Sequence, residues 1–445
     1  MIRLIQSLAK PFLYALLCWL ASSGTVLCAE NNFEYTVSGA KGAVLKNINE
    51  RLKSLDQKHP HTLSALEIHH LFAQGLDEIK IAVMPYGYFS SMPQGKLRQD
   101  HQMWTAQYQV HLGPQLQITQ SHIRLIGAGQ HDATLQHIIQ QLPVQKGQAF
   151  DSKNYNKSKT HLVRSAIESG YLNAKLIHHQ AHINRALYTC RIQWTLNTGP
   201  RFQFGTTHFK GNLINTSLLR RYIPYQRGDY YSEKKIRILQ KNLMASGYFN
   251  TVVIHPEISK AYKNQVPITI TVKPAHKRHY QVGLGYGTDT GFRALASLTV
   301  NRLNNRGHQM NFNARVSQLE SEINANYIIP GAKPATEHYT LNASINDINY
   351  HQGRSLMAST GASYSQIWRS IHQIYALKFQ RIESELKSQT RFQTRLIIPS
   401  INWQWTRSSH PTNPSHGYHF DILLQGTSKS LGSSITFAQA ILHTK

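Results

Sequence analysis

Tyr280-Gln281-Val282-Gly283-Leu284-Gly285-Tyr286-Gly287 is the stretch on which the fold turns. Large apolar residues stand at every second position, with glutamine and glycines between them. A period of two belongs to a strand with one apolar face. The same period continues downstream. Phe292, Ala294, Ala296, Leu298 and Val300 form the next apolar face. Met310, Phe312, Ala314 and Val316 alternate with Gln309, Asn311, Asn313 and Arg315, and Ile323, Ala325, Tyr327 and Ile329 follow. Tyr339, Leu341, Ala343 and Ile345 alternate with His338, Thr340, Asn342 and Ser344, and Tyr418, Phe420, Ile422 and Leu424 make a further face. Asn304-Asn305-Arg306-Gly307, Pro330-Gly331 and Pro411-Thr412-Asn413-Pro414 supply turns. About ten such runs follow Pro274, each of roughly ten residues, the length of a tilted membrane strand. Long runs with one polar and one apolar face favour a membrane barrel over a soluble sandwich, whose strands are shorter.

Upstream of Pro274 the period becomes helical. Ile236, Leu239, Leu243 and Met244 recur at helical spacing and stop at Ser246-Gly247-Tyr248-Phe249-Asn250, where Gly247 supplies a left-handed cap. This Gly-Tyr pair has two counterparts, Gly87-Tyr88 and Gly170-Tyr171, so the glycines lie 83 and 77 residues apart. Gly113-Pro114 recurs as Gly199-Pro200, and Lys146-Gly147-Gln148-Ala149-Phe150 as Arg227-Gly228-Asp229-Tyr230-Tyr231. Each unit has the order β-α-α-β-β, shown most plainly by a strand at 201–209, helices at 216–221 and from 231, and strands at 252–255 and 266–273. Two helices can cover one face of a three-stranded sheet and leave its edges free for another strand.

Composition agrees. The chain has 445 residues, enough for several domains. Charged residues make up 16%, against an average of about 25%. Aromatic residues make up 10%, which separates the chain from disordered polymers. The mean hydropathy of −0.39 excludes a polytopic helical membrane protein. The net charge of +26 is spread along the chain, +9 of it from His276 onward. No basic block accompanies it, so a lipid-headgroup neighbourhood is favoured over nucleic acid. The 25 histidines include the pairs His69-His70 and His178-His179 but no metal-binding spacing, and no nucleophile motif occurs. Neither a cofactor, a metal nor an enzymatic activity is expected. Residues 1–29 read as a secretory leader: Arg3 and Lys10, an apolar core at Phe12–Leu20, small residues, and cleavage after Ala29. Cys18 and Cys28 fall in that leader. Cys190 remains and reads as a small strand side chain.

A leader, three β-α-α-β-β repeats and a run of membrane strands resemble the outer-membrane assembly and secretion superfamily, whose repeats are polypeptide-transport-associated (POTRA) domains. Three repeats resemble the TamA family of translocation and assembly module subunits. Ser246–Asn250 with Val252-Val253 looks like the end of the second helix of its last POTRA domain, and Gly283–Gly291 like its first barrel strand and turn. The resemblance implies a leader at 1–29, POTRA domains at 30–114, 115–200 and 201–275, and a partial barrel at 276–445. That family's barrel has about sixteen strands, of which about ten are expected here. It further implies a non-enzymatic role in the outer membrane, with the POTRA domains in the periplasm. Client outer-membrane or autotransporter β-strands would pair with sheet edges, and an inner-membrane-anchored TamB-like protein would be a partner. The first barrel strand would be a lateral seam: Tyr280, Val282, Gly283, Leu284, Gly285, Tyr286, Gly287 and Asp289. Gly87, Tyr88, Gly170, Tyr171, Gly247, Tyr248 and Phe249 would be structural markers of the repeats. A two-partner-secretion translocator, a periplasmic POTRA scaffold and a truncated relic remain alternatives.

Overall fold

A computed structural model describes residues 32–445 except 58–62, 102, 212, 289–290, 351–352, 387–390, 411–412 and 414. The expected leader, Asp289 of the first barrel strand, and Pro411, Thr412 and Pro414 of the last turn lie outside the described residues. The chain divides into two compact units, one reaching Ala166 and adding Asn173–Gly199, the other formed by Ile167–Leu172 and Pro200–Lys445.

The first unit holds two repeats. Its elements are β1 (Asn32–Ser38), α1 (Gly42–Asp56), α2 (Ala65–Val83), β2 (Met92–Asp100) and β3 (Met103–His111), then β4 (Gln117–Ile126), α3 (Ala133–Gln141), α4 (Ser152–Glu168), β5 (Lys175–Asn184) and β6 (Thr189–Asn197). The strand orders are β1-β3-β2 and β4-β6-β5. In each sheet the first strand runs parallel to the last and the middle strand antiparallel to it. The last strand is therefore central, and its alternation is the cleanest. Ala106, Tyr108 and Val110 of β3 are buried, as are Cys190, Ile192, Trp194 and Leu196 of β6. Burial pushes the Cys190 thiol up to about 11, so the side chain is a small apolar filler rather than a nucleophile. Helix starts follow from local chemistry. Ser64 and Glu67 form a reciprocal capping box at α2, and Asp132 accepts from the Thr134 and Leu135 N–H groups at α3.

The second unit repeats this pattern with β7 (Gln203–Lys210), α5 (Thr216–Arg220), α6 (Glu233–Ala245), β8 (Phe249–Pro256) and β9 (Gln265–Pro274), in the order β7-β9-β8. Ile236, Leu239 and Leu243 of α6 pack on Val252, Val266, Ile268, Ile270 and Val272. The helix stops before Gly247, whose φ is +75°.

After Pro274 the unit consists of one antiparallel sheet of ten strands, each paired with its sequence neighbour. They are β10 (Arg278–Gly287), β11 (Gly291–Val300), β12 (Gln309–Ser317), β13 (Glu320–Pro330), β14 (Glu337–Tyr350), β15 (Gly353–Trp368), β16 (Ile371–Leu386), β17 (Phe392–Ser408), β18 (Gly417–Thr427) and β19 (Phe437–Thr444). The first barrel strand, expected to begin at Tyr280, begins two residues earlier and ends at Gly287, because Thr288 already turns. The two faces of the sheet differ in an inverted way. Leu341 and Ile345 are 50% and 51% exposed, whereas Asn342 and Ser344 between them are partly sheltered. Phe379 is exposed, whereas Lys378 and Gln380 are partly sheltered. A soluble sheet buries its apolar face. Here the apolar face is the open one, as in a barrel wall set in lipid. No helix among the described residues is long and apolar enough to cross a membrane.

Candidate functional site

β10 stands at one edge of the ten-stranded sheet. Its single strand neighbour among the described residues is β11, with register from Arg278 opposite Val300 to Gly287 opposite Gly291. Tyr280, Val282, Leu284 and Tyr286 lie on the open apolar face. Val282 is 83% and Leu284 92% exposed, against about half for Leu341 and Ile345 deeper in the sheet. The edge position of Val282 and Leu284 and their small cross-strand partners, Ala296 and Ala294, leave both side chains open. Gly283 and Gly285 lie on the opposite face, Gly283 exposed and Gly285 partly sheltered. The Arg293 side chain rests over Gly285, where an added Cβ would meet Nε at 3.2 Å. Glycines here take side-chain packing away from the β10–β11 pair. Among the described residues the side of β10 away from β11 meets no strand, and each backbone group left unpaired in hydrocarbon costs several kcal/mol. Such an edge is driven to accept a strand.

The three-stranded sheets offer edges of unequal quality. β5 carries a register shift between Leu176 and His178, and β8 one between Phe249 and Thr251. Bulges of this kind twist an edge and blunt pairing. β2 instead pairs with β3 without a shift from Met92 to Asp100, leaving a regular free edge.

The Gly-Tyr markers lie at junctions. The Leu116 N–H donates to the Gly87 carbonyl at 3.0 Å, and the Phe150 N–H donates to the Leu116 carbonyl at 2.9 Å. In the second unit, the Phe202 N–H donates to the Gly170 carbonyl and the Tyr231 N–H to the Phe202 carbonyl, both at 2.9 Å. At each place a Cβ on the glycine would stand 2.7 Å from a backbone oxygen, that of Phe150 or of Tyr231. The glycine is required by close approach as much as by its positive φ. Tyr171 and Phe249 are buried, and Tyr88 packs against the core of its own repeat. After Gly247 the partner is the β11–β12 connection. The buried Tyr248 hydroxyl donates to the Gly307 carbonyl at 2.6 Å, and Gln309 Nε2 donates to the Ser246 carbonyl at 2.8 Å. Burial holds the Tyr248 phenol protonated, pushed up to about 12. Arg221 Nη1 adds a bond to the Gly331 carbonyl at 2.7 Å. Leu116 and Phe202 carried no sequence signal of their own, whereas Gly331 reads only as a turn residue and Arg221 only as the end of a helix. The recurrent Gly-Pro pairs just before Leu116 and Phe202 were the available signal. Among the described residues no group of three or more His, Cys, Asp or Glu side chains is placed to hold a metal.

Residues 202–275 match the POTRA family described as surface antigen variable number repeat, and residues 34–112 match POTRA domain TamA domain 1. The outer membrane protein assembly factor BamA of Buchnera aphidicola subsp. Acyrthosiphon pisum is 30% identical over 143 residues, 31% of this chain and 23% of that protein. The chain thus spans less than a quarter of the length of this curated relative. The crystal structure of BamA from Haemophilus ducreyi lacking POTRA domains 1-3 superimposes with a TM-score of 0.58 at 18% identity, over 71% of this chain and 64% of that one. That likeness shows a shared fold for the strand-rich part. The chain thus carries POTRA-type domains at 34–112 and 202–275, the first of TamA type, and 71% of it shares a fold with BamA.

Proposed function

We propose that this chain is a non-enzymatic assembly factor of the outer membrane, of TamA type, with its POTRA domains in the periplasm. The observation that carries the reading is β10, a glycine-containing strand with one neighbour and an exposed apolar face. A client strand from an outer-membrane protein or autotransporter first adds to a POTRA edge by main-chain hydrogen bonds, which makes no demand on its sequence. The edges of the first sheet, β1 and β2, are preferred because their registers are unbroken. The client then transfers to the free side of β10, satisfying backbone groups that lipid leaves unpaired. The Tyr248–Gly307 and Arg221–Gly331 bonds hold the third repeat against the strand connections while this happens. A TamB-like, inner-membrane-anchored partner fits the same reading. No cofactor is needed, because strand addition breaks no covalent bond.

The test is a photoreactive residue at Val282, compared with one at Ile345, in cells arrested while assembling an outer-membrane protein. Both positions face outward, but only Val282 borders the free edge. The reading expects client adducts several-fold in excess at 282. Equal adducts at both positions would contradict it.

A further inference from the structure

We infer that the open face of the ten-stranded sheet binds one phosphorylated glycolipid, in the leaflet away from the third repeat, at Arg381 and Arg395. The inference rests on the outer-membrane reading above. Orientation comes from the strand connections. Those at 301–308 and 331–336 meet the third repeat, through Asn305, Gly307 and Gly331. Consecutive strands are antiparallel, so connections alternate between the two ends, and the one joining β16 to β17 lies at the end opposite these. Arg381 stands near that end of β16 and Arg395 near that end of β17.

The two arginines are direct cross-strand partners. Both are exposed, on the face that carries Ile345 and Ala358 in the same row. Like charges placed opposite each other repel. Glu383 relieves half of this, bonding Arg381 at 2.7 Å and also Arg391. Arg395 has no ion-pair partner among the described residues. The pair closes one end of a groove of about 580 Å³. Small side chains, Ala325, Ala343, Ala358 and Thr360, make its floor, with Ile345 and Phe379 beside them. A groove that is apolar along its length and doubly cationic at one end fits an acyl chain joined to an anionic head. Guanidinium groups match phosphate by paired hydrogen bonds, which an ammonium does not. On that side of an outer membrane the phosphates are carried by glycolipid, which fixes the occupant.

The experiment is native mass spectrometry of the full chain, extracted from outer membranes in mild detergent, stripped of lipid and titrated. The probes are bisphosphorylated lipid A, its dephosphorylated form and phosphatidylglycerol. Lipid A is expected to bind at least about tenfold (~1.4 kcal/mol) more tightly than either other probe. R381Q/R395Q is expected to lose that margin. A343F, which keeps both arginines and fills the groove floor, is expected to weaken lipid A as well. Unchanged lipid A binding by both variants, or phosphatidylglycerol binding as tight as lipid A, overturns the inference. A chain absent from outer membranes overturns the outer-membrane reading and this inference with it.

Discussion

Leu341→Arg is expected to cost about 2–4 kcal/mol of barrel stability, the range for an arginine near the bilayer midplane on a lipid-facing wall. Leu341 lies near the middle of the 14-residue β14, on the open face, in register with Tyr327 and Ala362. Its neighbour Asn342 points to the sheltered polar face, opposite Asn326 and Gly361. Asn342→Arg is therefore expected to cost less than about 1 kcal/mol, since positions on the lumen side tolerate charge. Urea titration of the two variants folded into vesicles reads both values. A soluble sheet whose apolar face met a partner protein would tolerate Leu341→Arg in vesicle-free buffer as a folded monomer. That outcome, or equal costs at 341 and 342, would contradict a lipid-facing wall.

Phe204→Ala is expected to unfold the third repeat. Phe204 is fully buried, stacked on Tyr225 with ring centroids 3.7 Å apart and planes 7° apart, and tilted against Tyr231 at 5.1 Å. Truncating a buried phenylalanine costs about 3–5 kcal/mol, and lost aromatic pairing adds ~0.5–1.5 kcal/mol. A domain of this size holds only about 5–15 kcal/mol in all. Collapse of this core also displaces the Phe202 and Tyr231 backbone groups that meet Gly170. Limited proteolysis is expected to cut the variant between Pro200 and Pro274 at protease levels that spare the parent. Leu213→Ala, at an exposed position, is expected to change stability by less than about 0.5 kcal/mol. Equal protease resistance in the parent and Phe204→Ala would sink the packing account.

Much of this architecture is legible in the chain because it is written in short periods. The alternation through β10–β14 and β18 is local, and a sheltered polar face against an open apolar face preserves it. Alternation is weaker in β15, where Ser355, Ser359, Thr360 and Ser363 fall on both faces. Pro399 is a harder case, since proline in an interior strand argues against a strand. It is tolerated because β18 starts pairing with β17 only at Ser400. The N–H groups of Arg395 and Ile397 on that side bond Ser434 and Ser433 Oγ instead. The proline nitrogen, two residues on, faces where no ladder bond is made. In the first repeat Tyr86 precedes the Gly-Tyr pair where the other two repeats have serine, and there Pro85 starts a single 3₁₀ turn at Met84–Tyr86 that Gly87 caps.

What was not legible depends on distant pairing. The three recurrent markers are tens of residues apart, and nothing local says that Gly87, Leu116 and Phe150 meet. Bulges in β4, β5, β7 and β8 have no composition of their own, so the unequal edges of the repeats emerged only from register. Arg381 and Arg395 are 14 positions apart on two strands. Their juxtaposition follows from the β16–β17 pairing alone.

The central claim is that the apolar face of the ten-stranded sheet meets lipid while its polar face meets water. The most direct measurement places a nitroxide label at each position from 339 to 346 of the full chain in outer-membrane vesicles. Collision with oxygen, which concentrates in lipid, is compared with collision with a water-soluble nickel complex. The account predicts oxygen access at 339, 341, 343 and 345 and nickel access at the positions between. The reverse pattern, or no alternation across the eight positions, would contradict it.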